Sequence, residues 1–225
     1  MKTDDPAQQS NPFAQKRELM VQSQLWERGI YDQRVLDAMR RVPRHKFVLL
    51  EYETQAYEDH PVPIGEGQTI SQPFIIAVSL QALALQRTEC VLEVGTGSGY
   101  QAAVVSRLVR EVVSIERYRT LADAARERLK TLGYGNVTIL AGDGFSGAPE
   151  RAPFDRIIVT AAAEEIPNAL VEQLAEGGKL VLPLGPRHGA QYIVKLTKAA
   201  DGTLSREDLI AVRFVPLLHG QAREL

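Results

Sequence analysis

Apolar and polar residues alternate in two different patterns between residues 90 and 184. Short apolar runs that end near a glycine or an acidic residue are typical of buried parallel strands. Between them lie segments whose apolar side chains recur every three or four positions, which is typical of amphipathic helices. This alternation predicts an α/β fold with a doubly wound, mostly parallel sheet. The predicted strands are a run that ends at Glu93, then 111–116, 136–140, 154–160 and 179–184, and the predicted helices are 101–109, 119–132 and 167–175.

Three further helices are predicted before this core. The first stops at Gly29, the second has Asp32 as its N-cap, and the third has Pro73 in its first turn. Residues 51–70 show no sustained period and predict a structured loop. The three helices span residues 13–28, 32–42 and 74–85.

The chain becomes β-rich after the core. Runs at 191–198 and 209–217 lie on either side of Asp201-Gly202 and predict an antiparallel hairpin appended to the parallel sheet. With no repeat and no clear linker, residues 13–225 are expected to form one domain.

Composition and charge narrow the classes of function. A formal net charge of -2 over 225 residues gives no global field that would recruit nucleic acid or an anionic membrane, and no apolar run approaches membrane-spanning length. The single cysteine, Cys90, cannot form an intramolecular disulfide and fits a reducing compartment, so we expect a cytoplasmic protein. Residues 1–12 are polar and lack the apolar stretch of a signal peptide, so we expect a disordered leader.

A glycine-rich loop follows the first core strand. Gly95, Gly97 and Gly99 stand at alternate positions, where they allow positive φ angles and close approach of a ligand to the backbone. A dinucleotide fingerprint would need a glycine at Tyr100, so a bound pyrophosphate is disfavoured. The form Glu-Val-Gly-Thr-Gly-Ser-Gly resembles the nucleotide loop of S-adenosylmethionine-dependent methyltransferases, although a glycine turn made only for packing stays possible on the loop alone.

Other polar residues are predicted at the same edge of the sheet. Glu116 ends the second strand, where a carboxylate can accept hydrogen bonds from both ribose hydroxyls. Asp143 follows the third strand and could accept from a nucleobase amino group, or simply form an Asp-Gly turn. Thr160 ends the fourth strand. Because the carboxyl ends of parallel strands meet at one edge, these residues and the glycine loop together predict a nucleotide site.

Hydroxyl groups also precede the helix that starts at Pro73. Thr69 and Ser71 are predicted at its N-terminus, where free amides and the helix dipole favour a carboxylate. The alternative is that Ser71 or Gln72 only caps the helix. The basic cluster at 44–46 is interpreted as a solvated corner and not a nucleic-acid patch, because no aromatic ladder accompanies it.

Other chemistries have little support. The four histidines lack metal-ligand spacing, so no metal site is expected. A hydrolytic triad could be assembled from Ser71, His60 and Asp59, but the serine has no G-x-S-x-G elbow. The segment 160–163 lacks the Asn-Pro-Pro-aromatic signature of amino-methylating nucleic-acid enzymes.

Most of the chain, from Met20 to Gly220, resembles the protein-L-isoaspartate O-methyltransferase family. The resemblance implies S-adenosylmethionine as methyl donor, with S-adenosylhomocysteine as product. It implies as acceptor the free carboxylate of L-isoaspartyl residues in damaged proteins and peptides, whose methyl ester then collapses to a succinimide. The matching stretches are 42–48, 56–59, 63–73, 91–100, 177–181 and 213–217, of which 63–73 is the specific one.

The resemblance also implies the site residues. Ser71 matches the catalytic serine and would orient the acceptor carboxylate. The implied donor-binding residues are Glu93, Gly95, Thr96, Gly97, Ser98, Gly99, Glu116, Arg117, Gly142 and Asp143. The implied substrate-binding residues are Gln68, Thr69, Ile70, Val215 and Leu218, with main-chain bonds from 215–218 serving many sequences. The domain would then divide into a substrate part (13–89), a donor-binding core (90–184) and a hairpin with a C-terminal segment (185–225).

Two rival functions stay open at this point. One is a methyltransferase that acts on nucleic acid or a small molecule, which the near-neutral charge disfavours. The other is a non-catalytic module that keeps the fold only to bind damaged protein. The intact glycine loop and Ser71 segment disfavour that second possibility.

Overall fold

The computed structural model describes residues 12–222, which form one large sheet with helices on its faces and a small two-stranded sheet. The helices are α1 (Pro12–Leu19), α2 (Gln33–Arg41), α3 (Pro73–Leu83), α4 (Tyr100–Ser106), α5 (Arg119–Thr131) and α6 (Asn168–Glu172). The strands are β1 (Val62–Gly65), β2 (Gln68–Ile70), β3 (Cys90–Val94), β4 (Glu111–Glu116), β5 (Val137–Ala141), β6 (Phe154–Val159), β7 (Leu174–Leu184), β8 (Gln191–Lys198) and β9 (Leu204–Val212).

The large sheet has seven strands in the order β5-β4-β3-β6-β7-β8-β9. The pairs within β5-β4-β3-β6-β7 are parallel, whereas β8 pairs antiparallel with both β7 and β9. The chain runs outward from β3 to β5 and then returns to the other side of β3, so the strand order reverses between β3 and β6. Ligands of open α/β sheets bind at such a reversal, outside the carboxyl ends of the strands. The predicted fold class and the appended hairpin are confirmed.

The core holds this edge in place. All five residues of β3 are buried, and apolar side chains on the two faces of the sheet form two clusters. One cluster includes Leu80 of α3 and Val104 of α4, and the other includes Leu170 of α6. Each fully buried aliphatic side chain contributes roughly 1.5–3 kcal/mol, so the site is built on a rigid frame.

The N-terminal helices are close to the prediction. The helix expected over 13–28 begins as α1 and continues through a π-helical turn (Met20–Leu25) and a 3₁₀ turn (Trp26–Arg28) to Gly29, which has a φ of 97°. Asp32 caps α2 as predicted, because its side chain accepts hydrogen bonds from the Arg34 and Val35 N–H groups. Residues 1–11 of the expected leader lie outside the described residues, and Pro12 is already helical.

Three predicted segments were wrong in part. The structured loop at 51–70 contains a 3₁₀ helix (Leu50–Gln55) and the hairpin of β1 and β2, whose strands are too short to show a period. The helix expected over 167–175 is shorter, because Leu174 already pairs with Phe154 and β7 starts there. The last strand ends at Val212 instead of running over 209–217. Residues after Val212 are therefore free to cross the sheet edge.

None of the helices within residues 12–222 combines the length and the apolar character that crossing a bilayer requires.

Candidate active site

The glycine loop turns the chain sharply from β3 into α4. Gly95, Gly97 and Gly99 have φ angles of 95°, 53° and 87°, in the region that favours glycine. A Cβ atom on Gly95 would also lie 2.1 Å from Thr160 Oγ1, so this position has no room for a side chain. The Gly95 N–H donates to the Ile115 carbonyl at 2.8 Å, which ties the loop to β4.

A cavity, here called the loop cavity, lies between the glycine loop and two distant segments of the chain. Its walls are residues 68–71, 94–98, 115–118 and 215–218, with Ile76, Tyr100, Gln101, Gly144, Thr160 and Ala161. Most of the predicted site residues meet there, namely Gln68, Thr69, Ile70, Ser71, Gly95, Thr96, Gly97, Ser98, Glu116, Arg117, Val215 and Leu218. The predicted residues outside these walls are Glu93, Gly99, Gly142 and Asp143.

Glu116 lies in the wall of the loop cavity at the carboxyl end of β4. Its Oε2 accepts from the Gly97 N–H at 2.8 Å, and its Oε1 accepts from the Tyr118 N–H at 3.0 Å. Burial raises the pKa of this carboxyl group, and the backbone amides oppose that rise. Each oxygen keeps a further lone pair, so the carboxylate can accept two hydroxyl groups without breaking its bonds to the loop.

Arg117 brings unused hydrogen-bond donors to the same wall. Its Nε and Nη1 atoms are buried and have no hydrogen-bond partner within residues 12–222. The guanidinium carbon lies 5.3 Å from the centre of the Tyr118 ring. Buried donors are normally satisfied, so these atoms fit a site that takes a polar ligand.

Glu93 is fully buried behind the loop and does not line the cavity. It accepts hydrogen bonds from the Ser114 hydroxyl and, at 3.1 Å, from Gln101 Nε2. Thr96 Oγ1 lies 2.6 Å from Ser114 Oγ, which extends the network into the glycine loop. Any influence of Glu93 on the cavity therefore passes through Gln101 and Thr96, and the donor-binding role that the family resemblance implies for Glu93 stays a prediction.

Burial raises the pKa of Glu93 from 4.5 to about 8. Because the folded state keeps this proton longer than the unfolded chain, the stabilising contribution is complete below pH 4.5 and is lost as the pH rises through about 8. Glu93→Gln mimics the protonated acid, so between about pH 5 and about pH 8 the variant is expected to lose less free energy of unfolding than the wild-type chain. Denaturant titrations across this range measure the difference, and parallel pH profiles for the two proteins would disprove it.

Gly99, Gly142 and Asp143 border the loop cavity without lining it. A Cβ atom on Gly99 would lie 3.2 Å from Leu129 Cδ1, so this glycine serves helix packing. Asp143 Oδ1 accepts from the Phe145 N–H at 2.9 Å, which is the Asp-Gly turn that the sequence left open. Contact of Asp143 with a nucleobase stays a prediction.

A second cavity, here called the groove, lies beside the loop cavity. It is lined by Pro61, Thr69, Ser71, Gln72, Ile75, Thr160 and residues 211–215. The hydroxyl groups of Thr69 and Ser71 form no hydrogen bond with any other part of residues 12–222. They are therefore available to a ligand that spans the two cavities.

Asp59 caps α3, and this role was not foreseen. The Phe74 N–H donates to Asp59 Oδ1 at 3.4 Å, and Gln72 Nε2 donates to Asp59 Oδ2 at 2.8 Å. Arg28 pairs with the same carboxylate. Gln72 occupies the N-cap position of α3 as the alternative allowed, but its side chain makes no capping hydrogen bond to the helix. Because Asp59 also pairs with Arg28, its charge is shared between that ion pair and the helix end, and the expectation that the helix N-terminus favours an acceptor carboxylate stays a prediction.

Arg44 supports Ser71 from behind, and the interpretation of residues 44–46 as a solvated corner was wrong for Arg44 and His45, which are buried, although Lys46 is exposed. Arg44 is fully buried, and burial lowers its pKa to about 10. Its Nη2 donates to the Ser71 carbonyl at 2.7 Å, and its Nε donates to the Ala56 carbonyl at 2.6 Å. The guanidinium lies over the Tyr100 ring at 4.8 Å. The signal for burial was the apolar residues on both sides of the cluster, Val42 and Phe47.

The segment after β9 forms the roof of the loop cavity. The Ala162 N–H donates to the Val215 carbonyl at 2.8 Å, and the Leu217 N–H donates to the Ala162 carbonyl at 2.7 Å. Further on, the Ala222 N–H donates to the Arg117 carbonyl at 3.1 Å. One edge of the segment is thus already paired, so fewer main-chain groups are open to a substrate than an unpaired strand would offer.

Within the described part of the chain, no three His, Cys, Asp or Glu side chains cluster in a way that could hold a metal ion.

Comparison with known proteins agrees with this geometry. The sequence profile of the family Protein-L-isoaspartate(D-aspartate) O-methyltransferase (PCMT) matches residues 14–222. A protein-L-isoaspartate O-methyltransferase from Bradyrhizobium sp. (strain BTAi1) is 50% identical over 214 residues, which cover 95% of this chain and 99% of the relative. Another from Parvibaculum lavamentivorans is 55% identical over 203 residues, covering 89% of this chain and 90% of the relative.

A solved structure extends the similarity to the fold. It is described as a protein-L-isoaspartate O-methyltransferase from Plasmodium falciparum in complex with S-adenosyl-L-homocysteine. It is 30% identical, has a TM-score of 0.78, and the match covers 90% of this chain and 98% of that one. The chain therefore belongs to the protein-L-isoaspartate(D-aspartate) O-methyltransferase family.

Proposed function

We propose that this chain transfers the methyl group of S-adenosylmethionine to the free carboxylate of L-isoaspartyl residues in damaged proteins and peptides, and so starts their repair. Family membership supports the reaction. The observation that carries the proposal is that the loop cavity and the groove share a wall containing Ser71, whose hydroxyl is unused. A donor on one side and an acceptor on the other would meet at this wall.

The loop cavity suits the donor. When bound, S-adenosylmethionine supplies an electrophilic methyl group on a sulfonium. The glycine loop brings backbone close to the ligand, and Glu116 can accept from both ribose hydroxyls while it stays bonded to Gly97 and Tyr118. The unpartnered Nε and Nη1 atoms of Arg117 fit the polar parts of the same ligand.

The groove suits the acceptor. A free carboxyl group with an ordinary pKa of about 4 is ionised at neutral pH, so the reaction needs no general base. Ser71 would donate a hydrogen bond that orients the carboxylate without burying its charge. The oxygen–carbon bond forms as the sulfur–carbon bond breaks, and the electron pair of that bond stays on sulfur. Alignment of the three atoms is the main contribution of the protein.

The product is a methyl ester, which collapses without further help from the enzyme. The neighbouring backbone nitrogen displaces methanol and forms a succinimide, and hydrolysis of that ring at one of its two carbonyls restores ordinary aspartate in part of the product. We further propose that the enzyme works in the cytoplasm, on protein and peptide acceptors, and needs neither nucleic acid, membrane nor metal. The single cysteine and the near-neutral charge support this setting.

A paired-peptide assay tests the proposal. The purified protein is incubated with methyl-labelled donor and two synthetic peptides that differ only in an L-isoaspartyl or an L-aspartyl residue. Base-labile label is expected on the isoaspartyl peptide alone. An RNA substrate serves as a third arm. Label on the RNA, or the absence of label from both peptides, would disprove the proposal.

A further inference from the structure

The loop cavity and the groove have four wall residues in common, Thr69, Ser71, Thr160 and Val215. In the proposed function, a methyl group must pass between the two cavities at this junction. Three of the four side chains carry a hydroxyl group. The chemistry so far described gives a role to Ser71, leaves the Thr69 hydroxyl available to a ligand, and gives Thr160 no role.

The Thr160 hydroxyl is bonded differently from the other two. Its Oγ1 donates to the carbonyls of the glycine loop, at 2.8 Å to Gly95 and at 3.1 Å to Val94. The Thr160 N–H donates to Val94 as well, at 2.9 Å. A hydroxyl has one proton, so Thr160 has none to offer to a ligand in the groove. Its proton points to the donor side of the junction.

Gly95 and Thr160 also fit together sterically. Thr160 Oγ1 fills the space in which a Cβ atom on Gly95 would stand. Gly95 has a φ angle of 95°, and its carbonyl accepts the hydrogen bond from Thr160, the residue that follows β6. Thr160 therefore holds Gly95 in place at the junction of the two cavities.

We propose that Thr160 is a positioning residue that holds the Gly95 peptide, and with it the sulfonium end of the donor, in line with the acceptor carboxylate oriented by Ser71. This inference rests on the proposed function. The two hydroxyls divide the alignment between them: Ser71 positions the attacking oxygen, and Thr160 positions the backbone that holds the leaving sulfur. Misplacement of reacting atoms by a fraction of an ångström slows transfer more than it weakens binding.

Thr160→Val tests this role, because valine keeps the branched shape and removes the hydroxyl. The loss of one neutral hydrogen bond in the reacting arrangement is expected to lower kcat by about tenfold. The KM for isoaspartyl peptide is expected to change by less than about twofold, since the hydroxyl proton does not face the groove. Thr160→Ser keeps the hydroxyl group that donates the hydrogen bond, and its kcat is expected to be within about twofold of the wild-type value.

Two readouts do not depend on turnover. The affinity for S-adenosylhomocysteine, measured by calorimetry, is expected to fall by about three- to fivefold in Thr160→Val and to recover in Thr160→Ser. In the ligand-free protein, amide exchange at Gly95, whose N–H donates to Ile115, is expected to be faster only in Thr160→Val. Thr138→Val, the same change in β5 away from both cavities, is the matched control.

The outcomes separate the inference from the proposed function. A wild-type protein that methylates isoaspartyl peptide, with Thr160→Val equally fast, overturns the inference alone. The inference is also overturned if Thr160→Ser lowers kcat as much as Thr160→Val does, or if Thr160→Val changes only the KM for isoaspartyl peptide. A wild-type protein without this activity refutes the proposed function, and the calorimetry and exchange results then still decide whether Thr160 holds the loop.

Discussion

Replacing Ser71 with alanine is expected to lower kcat by between about tenfold and about a hundredfold, with the affinity for S-adenosylhomocysteine unchanged. A hydrogen bond from a hydroxyl to a charged carboxylate contributes roughly 1.5–3 kcal/mol, and here it would be made to the reacting group. The hydroxyl has no partner within residues 12–222, so its removal leaves no protein group unsatisfied. Initial rates with labelled donor at saturating isoaspartyl peptide give kcat, and calorimetry gives the affinity.

The matched control is Ser79→Ala, in helix α3, which begins two residues after Ser71. The Ser79 hydroxyl donates to the Ile75 carbonyl at 2.9 Å, and Ser79 lines neither the loop cavity nor the groove. This variant is expected to keep full turnover. If Ser71→Ala instead loses affinity for the donor product, or turns over at the wild-type rate, Ser71 does not orient the acceptor.

Replacing Glu116 with alanine is expected to raise the dissociation constant of S-adenosylhomocysteine by about a hundredfold or more. Two hydrogen bonds from ribose hydroxyls to a charged acceptor would be lost, at roughly 1.5 kcal/mol or more each. The Gly97 and Tyr118 amides would also lose their acceptor. Because burial raises the pKa of Glu116, donor affinity in the wild-type chain should fall as the pH is lowered through that pKa.

Glu111→Gln is the control for this second prediction. Glu111 opens the same strand at the opposite edge of the sheet, where it pairs with Arg151. Its replacement is expected to leave calorimetric affinity unchanged. Equal affinities of wild type and Glu116→Ala for S-adenosylhomocysteine would show that Glu116 does not bind the ribose.

The core of the fold could be predicted because its signals are local. Strand β4 has the predicted bounds, Glu111–Glu116, since three β-branched apolar residues and one serine lie between two acids. The hairpin of β1 and β2 could not be predicted, because its strands are short and its turn places a non-glycine residue, Glu66, at a φ of 50°. The early start of β7 follows from pairing of Leu174 with Phe154, a long-range contact that overrides the local signal for helix.

The same distinction holds for the site. The places of the glycine loop, Ser71 and Glu116 in the wall of the loop cavity were predictable because each one is next to a strand end or helix start that the sequence marks. The support from Arg44 and the cap from Asp59 were not predictable, because both are contacts between residues that are distant in the sequence and meet only in the folded chain. A charged residue in sequence is ordinarily taken as exposed, and Arg44 departs from that rule because two carbonyls and an aromatic face receive its guanidinium.

The roof over the loop cavity is built from residues 215–218, near the end of the described chain, while the opposite wall is built from residues 68–71. Synthesis begins at the amino end, so a ribosome-bound chain can pair strands β3 to β7 before the roof has left the exit tunnel. Ligand stabilisation acts only on a chain that can bind. Products of premature termination before residue 215 would keep the glycine loop and Glu116 but lack one wall of the loop cavity, so they would gain less stability from cellular S-adenosylmethionine, and the larger part of the protease resistance that the nucleoside confers would belong to chains that include residues 215–218.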